Sequence, residues 1–144
     1  QRQMCIETGY LIAEPLNRKN PSVYALERTS NLQLTEQQLS PSPHINPQSY
    51  FEGCYGVNHE DCNPVPIKIK VYGSQVDYVR ARPIHASQEE VEQGDGWSVF
   101  SYWLRPSYNF YQMLLWHREK VEVMEPKEVR EEMKRIVNQI SKQY

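Results

Sequence analysis

Ile67-Lys68-Ile69-Lys70-Val71-Tyr72-Gly73 is the stretch whose reading decides the fold. Branched apolar residues alternate with lysines and a tyrosine at a period of two, the pattern of a strand with one dry face and one wet face, and Gly73 stops it. Working outward, Ser74 is placed to cap a helix carrying Val76, Tyr78 and Val79. Pro83 ends that helix by about Arg82, because the residue before a proline is pushed out of helical geometry. Residues 84–91 read as a second strand, polar and edge-like. Gly94-Asp95-Gly96 is a hairpin signal. The third strand, from Trp97 to Leu104, carries Trp97, Val99 and Trp103 on one face and Phe100, Tyr102 and Leu104 on the other. Ser107 caps a second helix in which Phe110, Met113, Leu114 and His117 recur at i, i+3, i+4 and i+7. Residues 121–124 form a fourth strand.

Strand, helix, strand, strand, helix, strand is the order of a split-βαβ, ferredoxin-like sandwich, predicted over residues 66–144. One helix is left over. It begins near Pro126 and lines up Val129, Met133, Ile136, Val137, Ile140 and Tyr144 on one side, with Glu131 and Arg135 spaced to pair on the other. This stripe docks either on its own domain or at a subunit interface. The predicted class is therefore α+β.

Upstream, five of the ten prolines fall at 41, 43, 47, 64 and 66, together with Cys54 and Cys62. Residues 41–65 read as a linker. Within it Asn46-Pro47 starts a short helix with Tyr50, Phe51 and Cys54 on one side, ended by Gly53 and Gly56. Residues 1–40 form a first domain with three short strands, at 10–13, 23–26 and 32–34, joined by the loop 15–21. Three such strands bury little and cannot close a barrel.

With 144 residues, 39% hydrophobic and 24% charged, and a mean hydropathy of −0.75, the chain suits one domain or two small ones. No stretch approaches the ~20 apolar residues of a membrane span, and Gln1-Arg2-Gln3-Met4 opens no signal region, so no membrane partner and a cytoplasmic location are expected. The net charge of −2 excludes a global field that draws nucleic acid; such contact has to be local. Three cysteines, Cys5, Cys54 and Cys62, are expected as reduced thiols. Cys54, His59 and Cys62, with His44 upstream, lack the tight C-x2-C pairs of zinc sites, so neither a metal nor a cofactor is expected. No G-x-S-x-G, P-loop or H-E-x-x-H occurs, which argues against an enzyme. A first residue other than methionine suggests a piece of something longer.

The run Tyr10-Leu11-Ile12-Ala13, followed after ten residues by Tyr24-Ala25-Leu26-Glu27-Arg28, resembles the core of WYL-domain proteins, a Trp-Tyr-Leu strand and then a strand ending in Asp-Arg. Pro47 with Tyr50-Phe51 through Gly56-Val57, Arg82-Pro83-Ile84-His85-Ala86-Ser87-Gln88, and Val121-Glu122-Val123-Met124-Glu125-Pro126 are similar to the rest of that family and its C-terminal WCX extension. Gly9 stands where the motif has tryptophan, removing an aromatic platform from the ligand pocket; Glu27 replaces aspartate and keeps the charge. The resemblance implies a bacterial transcriptional regulator whose Sm/SH3-like barrel, partial here, senses a nucleotide or single-stranded nucleic acid. It further implies operator DNA bound through a preceding helix-turn-helix domain, and a ferredoxin-like WCX domain that couples and dimerises.

The candidate site follows from these residues. Arg28 is placed to hold a phosphate as a bidentate donor, or to form a rim ion pair with Glu27 or Glu14. Tyr10 stacks on a base or fills a core. Arg82 and His85 are secondary ligand contacts; His85, beside Ser87, is a switch near neutral pH or a hydrogen-bonded loop histidine. Lys68, Lys70, Arg80 and Arg82 stand against Asp77 in a basic segment, followed by Glu89, Glu90, Glu92 and Asp95 with no cation between them. These patches suit self-association, a coupling surface, or no partner. Residues 96–102 partly follow the aromatic pattern of RNA-recognition sheets, which keeps RNA binding as an alternative, beside a structural oligomerisation role. A homodimer is expected through the third strand, with Phe100 and Tyr102 as its contacts.

Overall fold

Strand β1 (Tyr10–Ala13) pairs antiparallel with β2 (Ser22–Ala25), Tyr10 opposite Ala25 and Ala13 opposite Ser22. A computed structural model of the chain describes residues 9–15, 21–34, 36, 46–57 and 62–144; Cys5, His44 and His59 lie outside them. Two compact units result, Gln1–Phe51 and Glu52–Tyr144, dividing inside the proline-rich stretch.

In the first unit Leu26 N donates to Gly9 O at 2.9 Å, adding a rung to the hairpin, and the chain then closes one 3-10 turn at Leu26–Arg28. The second strand thus stops at Ala25, one residue short of the expected end. No residue of either strand is fully buried. The strand expected at 32–34 is not formed: Leu32 and Leu34 are exposed coil, since a three-residue alternation supplies too few ladder bonds to hold without a partner strand. Helix α1 (Pro47–Tyr50) is a single turn started by Asn46, whose carbonyl accepts from Tyr50 N at 2.8 Å. The Tyr50 hydroxyl donates to Pro21 O at 3.2 Å.

The second unit runs β3 (Val65–Tyr72), α2 (Gln75–Ala81), β4 (Glu89–Gly94), β5 (Trp97–Leu104), α3 (Tyr108–Trp116), β6 (Val121–Glu125) and α4 (Lys127–Ser141). Its four strands form one antiparallel sheet in the order β4-β5-β3-β6. Register fixes the faces. Ile67, Ile69 and Val71 lie opposite Tyr102, Phe100 and Ser98, and Ile69 also faces Val123. This side is the dry one, packed with Val76 and Val79 of α2, Phe110, Met113 and Leu114 of α3, and Val129 of α4. Phe100, Phe110, Ile67, Ile69 and Leu104 are wholly buried, each favouring the fold by about 1.5–3 kcal/mol before entropy is charged against it.

Several local expectations change. Ser74 has helical backbone angles and makes no cap bond; Gly73, at φ +61°, turns the chain instead, and its carbonyl accepts from Val76 N at 3.1 Å. Ser107 caps as expected, accepting from Phe110 N at 3.4 Å. β4 begins at Glu89 rather than residue 84, because the segment before it is folded by its own side chains, described below. Pro126 is the residue before α4, and on that helix Glu131 pairs with Lys134 and Glu132 with Arg135 at i,i+3 rather than Glu131 with Arg135. Its stripe docks on its own domain through Val129 and Met133, while Val137, Ile140 and Tyr144 stay exposed. β4 is exposed along its whole length and carries a bulge between Glu90 and Glu92. At the β4–β5 hairpin a side chain on Gly94 would strike the Trp97 ring, which favours glycine there. Among the described residues no helix is long and apolar enough to cross a membrane.

Candidate functional site

Arg28 closes the 3-10 turn that follows β2 in the first unit. With Leu11, Val23, Tyr24 and Thr29 it lines a concave surface of about 650 Å³. Tyr10 does not line this surface. Opposite residues of an antiparallel pair share a face, so the hairpin contributes to the surface from both sides, Leu11 and Tyr24 from one and Val23 and Ala25 from the other. The aromatic residue that lines it along with Arg28 is Tyr24, which the sequence reading passed over because motif order singled out Tyr10.

In the second unit the expected dimer contacts are placed differently. Phe100 and Tyr102 are 1% and 2% exposed, inside the sheet–helix core of their own chain, and so cannot form a surface contact without opening it. Burial raises the Tyr102 phenol far above its ordinary value. The other face of β5 carries Trp97, Val99, Ser101 and Trp103, and of these Trp103 is half exposed. Lys70 lies over the Trp97 ring at 3.7 Å from its centroid, a cation–π contact. The aromatic pattern at 96–102 is therefore split across the sheet, with Phe100 and Tyr102 unavailable to a base.

His85, Ser87 and Gln88 form a cap between α2 and β4. The β4–β5 ladder ends at Glu89 opposite Ser101, which leaves the backbone of Trp103 beyond the last rung. Ser87 Oγ supplies that rung: it accepts from Trp103 N at 2.9 Å and lies 3.2 Å from Trp103 O. His85 Nδ1 accepts from Ser87 N at 3.1 Å and sits 2.7 Å from Ser87 Oγ, so its lone pair is in use and the ring proton is on Nε2. Burial holds the His85 imidazole below its ordinary value, consistent with the neutral ring. Gln88 ties three elements together. Its Oε1 accepts from the Tyr102 hydroxyl at 2.9 Å and from Ile84 N at 3.0 Å, and its Nε2 donates to Val79 O at 3.0 Å. The role of Gln88 was not foreseen; its signal would have been the hydroxyl of a core tyrosine in need of a partner.

The basic segment is largely paired. Lys68 meets Glu125 at 3.1 Å. Arg80 forks onto Glu90 at 3.0 and 2.6 Å and also reaches Asp77 and Ser98 at 3.1 Å. The Arg80 guanidinium, followed by Ser98, lowers the Glu90 carboxyl to about 2. Tyr72 donates to Glu122 at 2.7 Å and Arg130 pairs with the same carboxylate at 2.8 Å, together holding it below the usual range. Arg82 differs. Among the described residues no carboxylate pairs with it; its guanidinium stands 5.9 Å from the Tyr78 ring centroid, with Nη1 3.5 Å from the Tyr78 hydroxyl.

Arg82 lines a hollow of about 220 Å³ with Tyr78, Ile84, Met113, Trp116 and His117; His85 does not line it. The Tyr78 and Trp116 rings are 6.0 Å apart and tilted by 42°, and His117 meets Trp116 edge-on at 5.0 Å. His117, read from sequence as part of the apolar side of α3, is buried there, and burial lowers its imidazole from the ordinary value. Gln75 Nε2 and His117 Nδ1 are 2.9 Å apart. Among the described residues no cluster of three His, Cys, Asp or Glu side chains is arranged to hold a metal ion.

No curated protein matches the chain. The WCX domain family does, over residues 63–141, which takes in every strand and helix of the second unit. That span is more than half of the sequence, and the chain belongs to the WCX domain family.

Proposed function

We propose that this chain is the C-terminal, effector-sensing and dimerising portion of a bacterial WYL-type transcriptional regulator. The WCX match carries the reading, because that domain is the extension expected to follow a WYL barrel. The strand order β4-β5-β3-β6 supports a ferredoxin-like assignment for the second unit, and the β1–β2 hairpin is read as part of a small Sm/SH3-like barrel. The effector is a nucleotide or a single-stranded nucleic acid. Arg28 takes its phosphate as a two-pronged donor, and Tyr24, beside it, offers a ring for stacking. Operator DNA belongs to a helix-turn-helix domain preceding these residues. Dimerisation uses the outer face of β5 around Trp103, since Phe100 and Tyr102 are internal.

Fluorescence anisotropy with a short single-stranded oligonucleotide tests the reading. Arg28→Ala is expected to weaken binding by ~1.5–3 kcal/mol, the scale of a lost charged hydrogen bond, and binding should fall with salt. Unchanged affinity in that variant moves the site. Loss in Trp103→Ala but not in Arg28→Ala selects the second reading, RNA held on the outer sheet face, which the Trp97–Lys70 pair and exposed Trp103 favour. Absence of any binding leaves a structural oligomerisation role.

A further inference from the structure

We infer that the hollow between α2 and α3 is a binding site for a small aromatic anion, a single six-membered ring bearing a carboxylate or phosphate. This site lies wholly in the second unit and does not depend on the reading of Arg28.

Size selects the ring count. A dry cavity of about 150 Å³ accommodates benzene, so 220 Å³ matches one ring with one small substituent. The walls select an aromatic. Tyr78 and Trp116 present tilted rings, and Trp116 remains 64% exposed although Met113 and Leu114 on the same helix are buried. A planar ligand covers that surface at little entropic cost, because these side chains already rest against one another.

Charge selects the anion. Arg80, two residues earlier, is held by Glu90 and Asp77, whereas among the described residues Arg82 meets only a tyrosine ring and its hydroxyl. A ligand carboxylate would give it the forked partner that no described side chain supplies. His117 adds a neutral donor. The Gln75 amide group faces Nδ1 as a donor, which leaves the ring proton on Nε2. No buried side-chain nitrogen or oxygen among the described residues lacks a partner, and Nδ1 is the ring atom of His117 that is bonded; Nε2 is therefore not fully enclosed, in a residue that lines the hollow. An arginine, an N–H donor and two rings together discriminate an aryl anion both from an aliphatic acid and from a neutral arene.

The test is fluorine NMR of the whole chain labelled with 5-fluorotryptophan, in which Trp97, Trp103 and Trp116 give separate signals assigned by single Trp→Phe variants. Sodium benzoate and phenyl phosphate are the probes; cyclohexanecarboxylate and benzyl alcohol are the controls. The Trp116 signal should move and saturate with at least one probe while Trp97 and Trp103 stay in place. Arg82→Gln should weaken that binding by about tenfold or more, the equivalent of one charged hydrogen bond. Unmoved Trp97 and Trp103 signals in this variant report an intact fold. No saturation with either probe, equal response to the controls, movement at Trp103 instead, or unchanged affinity in Arg82→Gln each overturns the proposal.

Discussion

β1 and β3 are both apolar-rich strands in antiparallel pairs, yet Ile67, Ile69 and Val71 are completely buried in β3 and nothing is in β1. Composition does not separate them. β3 has a neighbour on each side, β5 and β6, and three helices over its dry face, whereas β1 belongs to a two-stranded sheet. Alternation specifies which side chains are offered for burial; the second layer determines whether they are buried at all.

The sharpest way to break this comparison is to truncate one side chain in each unit. Phe110→Ala should destabilise the second unit by about 3–5 kcal/mol, through lost transfer energy and the cavity left behind. Leu11→Ala, at a half-exposed position, should change stability by less than about 0.5 kcal/mol. Urea unfolding followed by tryptophan fluorescence reads both. Comparable losses would show that the hairpin shares the same cooperative core.

The next effect sharpens the account of the second unit. Gln88→Ala strips partners from a buried tyrosine hydroxyl and from two backbone groups, and should cost about 2–3 kcal/mol. Tyr102→Phe removes the hydroxyl together with its need, so about 1 kcal/mol is expected. The double variant should lose less than the sum of the two, because both act through one network. Strict additivity counts against that network.

The smallest effect lies at the sheet edge. The folded Glu90 carboxyl titrates at about 2, below its usual 4.5, so its contribution to stability is present above pH 4.5 and is lost as pH falls toward 2. Glu90→Gln should be less stable than the parent at neutral pH, and thermal melts should converge in acid. The pair is partly exposed, so the gap should be the least of the three. A gap that persists at pH 2 assigns the effect to packing instead.

The order of elements in the second unit was legible because its periods are long. β3 alternates over eight residues, and α3 repeats its apolar side along nine. Faces were not legible in β5, where both sides are bulky. The lysines of β3, carried across by register, place Trp97 and Trp103 outside and Phe100 and Tyr102 inside, information that resides in pairing rather than in either strand alone. Residues 84–88 misread as strand for another reason: Ser87 and Gln88 side chains make bonds that a ladder would otherwise make. Of the candidate site, Arg28 was singled out by its place in the motif and Arg82 by the basic segment, while Tyr24, Trp116 and Gln88 were not singled out, because contact rather than composition sets them beside their neighbours.

One feature of β4 bears on how the protein behaves at high concentration. An outermost strand with unpaired backbone is a template on which sheets extend from molecule to molecule, the first step toward fibres. Glu89, Glu90 and Glu92 line this one, and the bulge at Val91 breaks the even spacing another copy would need. Two such edges brought side by side would set carboxylates against carboxylates, so end-to-end growth is opposed by charge and by shape together. Salt screens only the first of these. The second is built into the backbone and persists in concentrated brine.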